Sequence, residues 1–158
     1  MRLLVVLGEG GHTKEMITLV DMLSAPYEYG YVVVRGDEVS EAKIRRPGKI
    51  YHITRPRYKR LRFWIDSINT LRCAVEAFRI LREFRPVAVV SAGPSVAVPV
   101  SLVAKWMGIS VIFVETGSRI TSLSMTGRIL YRFADLFFVQ WPELAERFPK
   151  AIYAGRLF

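Results

Sequence analysis

The chain is poor in the features that would tie it to an oxidising compartment or thread it through a bilayer. Among its 158 residues there is one cysteine, Cys73, so no internal disulfide can form, and its place in a helical pattern predicts a packed thiol. No apolar run approaches the roughly 18 residues that a spanning helix needs, and the run at 3–7 is too short for a signal peptide. The expectation is a cytosol-facing chain without a transmembrane segment, working with neither a metal nor a cofactor. There is no internal repeat, low-complexity tract or linker, which predicts one domain over residues 1–158. Acids are missing from one stretch altogether. Between Lys43 and Arg62 stand nine basic residues and no acid, which accounts for the whole net charge of +9.

That basic stretch is interleaved with aromatics. Arg55, Arg57, Lys59, Arg60 and Arg62 alternate with Tyr58 and run into Phe63 and Trp64, a pattern suited to anionic headgroups. A solvated basic loop and a nucleic-acid surface are the competing readings, and no recognised nucleic-acid motif supports the latter. With 51% hydrophobic residues, the chain carries a surplus of apolar surface, which suggests a face turned to a partner or a membrane.

The most informative stretch is Leu3-Leu4-Val5-Val6-Leu7-Gly8-Glu9-Gly10-Gly11-His12-Thr13. A buried strand feeds a glycine turn and then a helix, whose unpaired N–H groups and dipole favour an anion such as a phosphate. It is a poor dinucleotide fingerprint, since Thr13 replaces the third glycine and the second strand ends near Val34-Arg35 rather than in a ribose-binding acid.

Strands and helices alternate along the chain. Strands are predicted near residues 3–7, 31–34, 49–53, 87–91, 109–114, 136–139 and 151–154, with helices over about 13–23, 61–84, 124–133 and 142–148 and one beginning near Val98, after a 92–97 loop. In the longest helix Trp64, Ile68, Leu71, Val75, Phe78 and Leu81 form one apolar face, read as core beyond Ile68. Arg72 with Glu76 and Arg79 with Glu83 read as i,i+4 pairs. The fold class is α/β, a Rossmann-like, mostly parallel sheet with helices on both faces. Loops 8–13, 92–97 and 115–119 all leave strand C-termini, and so can share the rim where such sheets bind ligands.

Three stretches carry a family resemblance: LGEGGHTKEM, SAGPSVAVP, and VETGSRITSLSMTGRILYRFADLFFVQWPELAERFPKAIYAGRLF. Together they resemble asparagine-linked-glycosylation family number fourteen, the membrane-associated half of a split UDP-N-acetylglucosamine transferase acting on polyprenyl-diphosphate sugars. Bacterial capsule and exopolysaccharide subunits belong to the same group. The resemblance implies the N-terminal, acceptor-binding half of a GT-B glycosyltransferase, inactive without a separate chain that binds the UDP-sugar. It also implies a polyprenyl- or dolichyl-diphosphate acceptor and a peripheral position on the cytoplasmic face of the membrane. Two departures stand out: the N-terminal membrane helix of eukaryotic members is missing, and Gly93-Pro94-Ser95 stands where many members have Gly-Pro-Gly.

On this reading Gly8, Gly10, Gly11 and Thr13, with Gly93, Pro94 and Ser95, surround the diphosphate. His12 is a candidate base for the acceptor hydroxyl, or else a cap or phosphate ligand. Glu115 is an alternative base, a sugar ligand, or the partner of Arg119, which in turn faces the diphosphate or the partner chain. The C-terminal Tyr153, Gly155, Arg156, Leu157 and Phe158 either dock on the partner or form a last edge of the sheet. A non-catalytic membrane recruiter of a glycosyltransferase and a nucleotide-binding Rossmann domain are the alternative functions.

Overall fold

The computed structural model describes residues 1–56 and 63–157, without the side chains of Phe63 and Ile65. Arg57, Lys59, Arg60, Arg62, Phe158 and the Phe63 side chain, all named above as contacts, lie outside the described residues.

Among the described residues, runs rich in β-branched, aromatic and other apolar residues build seven strands: β1 (Arg2–Val6), β2 (Glu28–Val34), β3 (Gly48–Ile53), β4 (Ala88–Ser91), β5 (Ser110–Val114), β6 (Leu136–Val139) and β7 (Ala151–Tyr153). They lie in one sheet in the order β3-β2-β1-β4-β5-β6-β7, and every pairing is parallel. The order reverses between β1 and β4, so a crevice opens beyond their carboxyl ends. Strand β2 begins earlier than its valines suggest because Gly30 leaves room for the Phe84 ring, whose nearest atoms would stand 2.9 Å from an added Cβ.

The helices are α1 (Gly11–Met22), α2 (Glu38–Glu41), α3 (Phe63–Phe84), α4 (Ala97–Trp106), α5 (Met125–Leu130) and α6 (Pro142–Arg147). They are shared unequally between the two faces. One face packs Leu4, Val6, Val89 and Val111 against α3, α4, α5 and α6 through Cys73, Leu81, Val100, Leu130 and Leu144. The other packs Leu3, Val5 and Val90 against α1 through Met16, Ile17 and Val20. Beside α1, strands β5 and β6 leave Ile112, Leu136 and Phe138 lining an apolar trough of about 390 Å³, closed at one side by residues 154–157.

Beyond Ile68, helix α3 turns Leu71 and Val75 outward where core was expected, while Leu81 is buried as expected. Cys73, Ala77, Ile80, Leu81 and Phe84 face the sheet, while Trp64 (81% exposed), Ile68, Leu71 and Val75 face outward. Both stripes run at helical spacing, and the one with the smaller residues, Cys73 and Ala77, lets the helix lie close to the sheet. Trp106, 79% exposed at the end of α4, extends the outward stripe, with the Phe78 ring 6.1 Å away. The two glutamates of α3 also leave their helical partners. Glu76 accepts from Thr54 N–H (2.6 Å) and pairs with Arg35 (2.8 Å), and Glu83 pairs with Lys49, so both bind α3 to the sheet edge. Among the described residues no helix is long and apolar enough to cross a membrane.

Candidate functional site: a cleft at the reversal of the sheet

The turn after β1 and the turn after β4 meet face to face at the reversal point. Gly8 is buried beneath Pro94, so close that any Cβ at position 8 would overlap the proline ring. Gly10 adopts φ 68° and ψ −121°, a conformation that only glycine takes up readily, and the chain then enters α1. That helix starts at Gly11, two residues before the expected Thr13, and among the described residues no side chain caps its first N–H groups. Gly93 has φ 83°, and a Cβ there would stand 3.2 Å from His12 Cε1. Helix α4 begins at Ala97, one residue earlier than expected, and Pro99 falls in the first turn, where an N–H is not needed.

Between the two turns lies a cleft of about 270 Å³, lined by Gly8, Glu9, His12, Arg55 and Gly93 to Val96. Arg55, reached from the end of β3, pairs with Glu9 across its mouth. Gly10 and Gly11 are exposed beside it, as is Ser95. Thr13 takes a different place from the one expected: its side chain is fully buried and its hydroxyl donates to the Gly8 carbonyl, with Ser40 Oγ 2.7 Å away. The hydroxyl therefore clamps the turn from within and is turned away from any ligand.

His12 stands on the second residue of α1, part-exposed, with its Nδ1 turned inward and Nε2 left on the open side of the ring. Behind it lies Glu15, buried, with Oε2 3.7 Å from His12 Nδ1. Glu15 Oε1 accepts from Gly117 N–H (2.7 Å), Thr116 Oγ1 (3.0 Å) and Gln140 Nε2 (3.1 Å). Burial pushes this carboxyl up, but the neighbouring imidazole, the Gly117 N–H and the Thr116 hydroxyl outweigh it and leave Glu15 below its ordinary range. The third loop thus joins the first through Glu15, which sequence reasoning did not name as a site residue. Its signal was the spacing His-x-x-Glu at a helix start, which puts the two side chains on one face.

Glu115 does not face the cleft. It is fully buried, accepting from Ser124 N–H (2.9 Å), Ser124 Oγ (3.1 Å) and Thr116 N–H (3.0 Å), and burial raises its carboxyl above the ordinary range. Its oxygen sits where a side chain on Gly127 would stand, so a small residue at the start of α5 makes room for it. Arg119 is exposed, and among the described residues it forms no ion pair, Glu115 included. In the C-terminal segment, Arg156 stacks on the Trp141 ring (4.3 Å), Trp141 Nε1 donates to the Gly117 carbonyl (2.7 Å), and Leu157 N–H donates to Gln140 Oε1 (3.0 Å). Tyr153 and Gly155 are exposed. The segment is thereby anchored to the third loop. Among the described residues no group of His, Cys, Asp or Glu side chains could hold a metal ion.

A wholly parallel sheet of this order, with glycine turns meeting at its reversal point, is the Rossmann-like N-terminal half of the GT-B architecture. The solved MurG of Acinetobacter baumannii shares it at a TM-score of 0.72 and 20% identity, over 89% of this chain and 41% of that one. UDP-GlcNAc 2-epimerase from Neisseria meningitidis, bound to UDP-GlcNAc, matches at 0.69 and 16%, over 99% of this chain and 47% of that one. The chain therefore spans less than half of each of these structures. At the level of sequence, residues 3–157 match the family described as oligosaccharide biosynthesis protein Alg14 like, and the chain belongs to that family. It is 34% identical to the UDP-N-acetylglucosamine transferase subunit ALG14 of Mus musculus and 35% identical to that of Homo sapiens, in each case over 99% of this chain and 83% of the relative.

Proposed function

We propose that this chain is the acceptor-side subunit of a two-chain glycosyltransferase, with the cleft between Gly8–Gly11 and Gly93–Ser95 receiving the diphosphate of a lipid-linked sugar. The observation that carries this reading is the meeting of the two glycine turns at the reversal of the sheet, beside an uncapped helix N-terminus. Main-chain N–H groups there suit a pyrophosphoryl group, and Arg55 adds positive charge at the rim. The UDP-sugar, of GlcNAc or a related sugar, comes on a separate chain that forms the opposite wall. An acceptor hydroxyl attacks the anomeric carbon and the bond from that carbon to UDP breaks. UDP leaves with the electron pair, and the hydroxyl proton passes to His12 Nε2. Glu115 acts at one remove, by fixing the third loop and the start of α5.

The outward stripe of α3 and Trp106 of α4 supply the membrane contact. The stripe directly follows the basic stretch that ends at Arg62, carries a tryptophan at each end, and has the exposed Arg72, Arg79 and Lys105 beside it. That combination of aromatic, apolar and cationic residues suits an anionic bilayer surface. The apolar trough and the anchored 153–157 segment form the surface for the nucleotide-binding chain, adjoining the cleft through Gln140 and Glu15.

Reconstitution tests the proposal. The chain alone is expected to be inert, and adding a companion nucleotide-sugar-binding chain is expected to give transfer from UDP-GlcNAc to a polyprenyl-diphosphate sugar. Full activity of a Gly10→Val, Gly93→Val variant in that assay would refute the placement of the diphosphate.

A further inference from the structure

Of the two His12 nitrogens, only Nε2 can meet an acceptor, because Nδ1 is buried and turned toward the protein interior. A neutral imidazole accepts a proton at Nε2 only when its own proton sits on Nδ1. Some group must hold it there. The charged residues near the ring are few: Glu9 and Arg55 pair with each other across the cleft mouth, and the α4 side brings only Gly93, Pro94 and Ser95. On the inner side, among the described residues, stands Glu15 alone, its Oε2 buried, without a hydrogen bond, and 3.7 Å from Nδ1.

We infer that Glu15 is the positioning residue of His12: its free Oε2 holds the imidazole proton on Nδ1 and so leaves the Nε2 lone pair directed into the cleft. The inference rests on His12 being the base. A carboxylate orienting an imidazole in this way is a general device for selecting its tautomer. Here the carboxylate is itself fixed, since three donors from two other segments converge on Oε1 and leave Oε2 as the oxygen with capacity to spare. The separation of 3.7 Å is longer than a hydrogen bond, and contacts of this kind commonly tighten only when the substrate is seated.

The three donors make the test sharp. In Glu15→Gln, the amide oxygen must take the Oε1 position to satisfy Thr116, Gly117 and Gln140, which turns the amide NH₂ toward His12. That NH₂ can only donate, so His12 Nδ1 must accept, and the ring proton moves to Nε2. Long-range ¹H–¹⁵N spectra of the full chain, labelled at histidine and recorded where the imidazoles are neutral, read the tautomer directly. The chain has two histidines, and His52, held by Glu41 at 2.8 Å, serves as internal control. The wild type is expected to show the Nδ1–H form at His12 and Glu15→Gln the Nε2–H form, with His52 unchanged. In the reconstituted pair kcat should fall about 100-fold with little change in KM, and Glu15→Asp should restore the Nδ1–H form and part of the rate. The same His12 tautomer in wild type and Glu15→Gln overturns the inference, as does a Glu15→Gln enzyme with wild-type kcat beside an inactive His12→Ala. Full activity of His12→Ala refutes instead the base assignment itself, whichever tautomer the spectra show.

Discussion

The outward stripe of α3 can be tested without any enzyme assay, through the pair Leu71→Ser and Trp106→Ser. Leu71 is 67% exposed and Trp106 79% exposed, so neither substitution opens a cavity, and each should change folding stability by no more than about 0.5 kcal/mol. On a bilayer both side chains move from water into the headgroup and acyl boundary. Full burial of a large apolar side chain contributes about 1.5–3 kcal/mol, and scaling by the exposed fraction leaves roughly 1–2 kcal/mol for each. The double variant should therefore lose about 2–4 kcal/mol of binding, a weakening of about 30-fold to several hundred-fold. The assay is co-flotation of the full chain with vesicles containing about one-third anionic lipid, a composition in which the basic residues also contribute. Thermal unfolding should stay within about 2 °C of wild type for each single variant and about 4 °C for the double, given roughly 2–4 °C per kcal/mol for a chain of this size. Unchanged vesicle binding by the double variant, with folding intact, would refute the bilayer as the occupant of this face. Binding that disappears only in the presence of the companion chain would assign the face to protein contact instead.

Gly8→Ala should lower the melting temperature by roughly 2–12 °C, from an overpacking cost of about 1–3 kcal/mol against Pro94, and scanning calorimetry measures it directly. Glu115, whose carboxyl is raised by burial, keeps its proton in the folded state at pH values where the unfolded chain has released it. Stability therefore falls as pH rises from the ordinary carboxylate range through the raised value, and Glu115→Gln should gain on wild type across that window; a stability difference independent of pH would contradict this. Cys73 is buried, with its thiol pushed up to about 12, so it should stay unreactive toward a thiol reagent at pH 8 and titrate as one equivalent only in denaturant.

The architecture could be read from the sequence because each strand announces itself as a short apolar run ending in a turn residue, and parallel strands need the helices that separate them. The cleft was legible for the same reason: Gly8 to Gly11 and Gly93 to Ser95 each follow a strand, and the topology brings two such turns together. The side of α3 that faces the sheet was not legible. Periodicity gives two stripes, and the bulky one looked like core, yet Cys73 and Ala77 permit the closer approach. The partners of Glu76 and Glu83 were hidden too, because a helical i,i+4 neighbour and a strand edge compete for the same carboxylate and only the fold decides. Thr13 looked like a ligand because it follows the glycines, but one turn into α1 its hydroxyl points back at the Gly8 carbonyl. Glu15 and Gln140 stand 125 residues apart, a distance no local pattern bridges. Helix α2, of four residues, is too short to leave a periodic trace.

The Gln140 amide has a donor end and an acceptor end, and the fold uses both. Glu15 can only receive a proton from it and Leu157 can only give one, so a single rotation of the amide satisfies the two neighbours at once. The same Nε2 also donates to the Glu115 carbonyl (3.1 Å), so one orientation of the amide ties the tail to the first helix and to the third loop together. A change at position 140 is therefore felt at three places at once, the start of α1, the loop after β5 and the chain's last described residues.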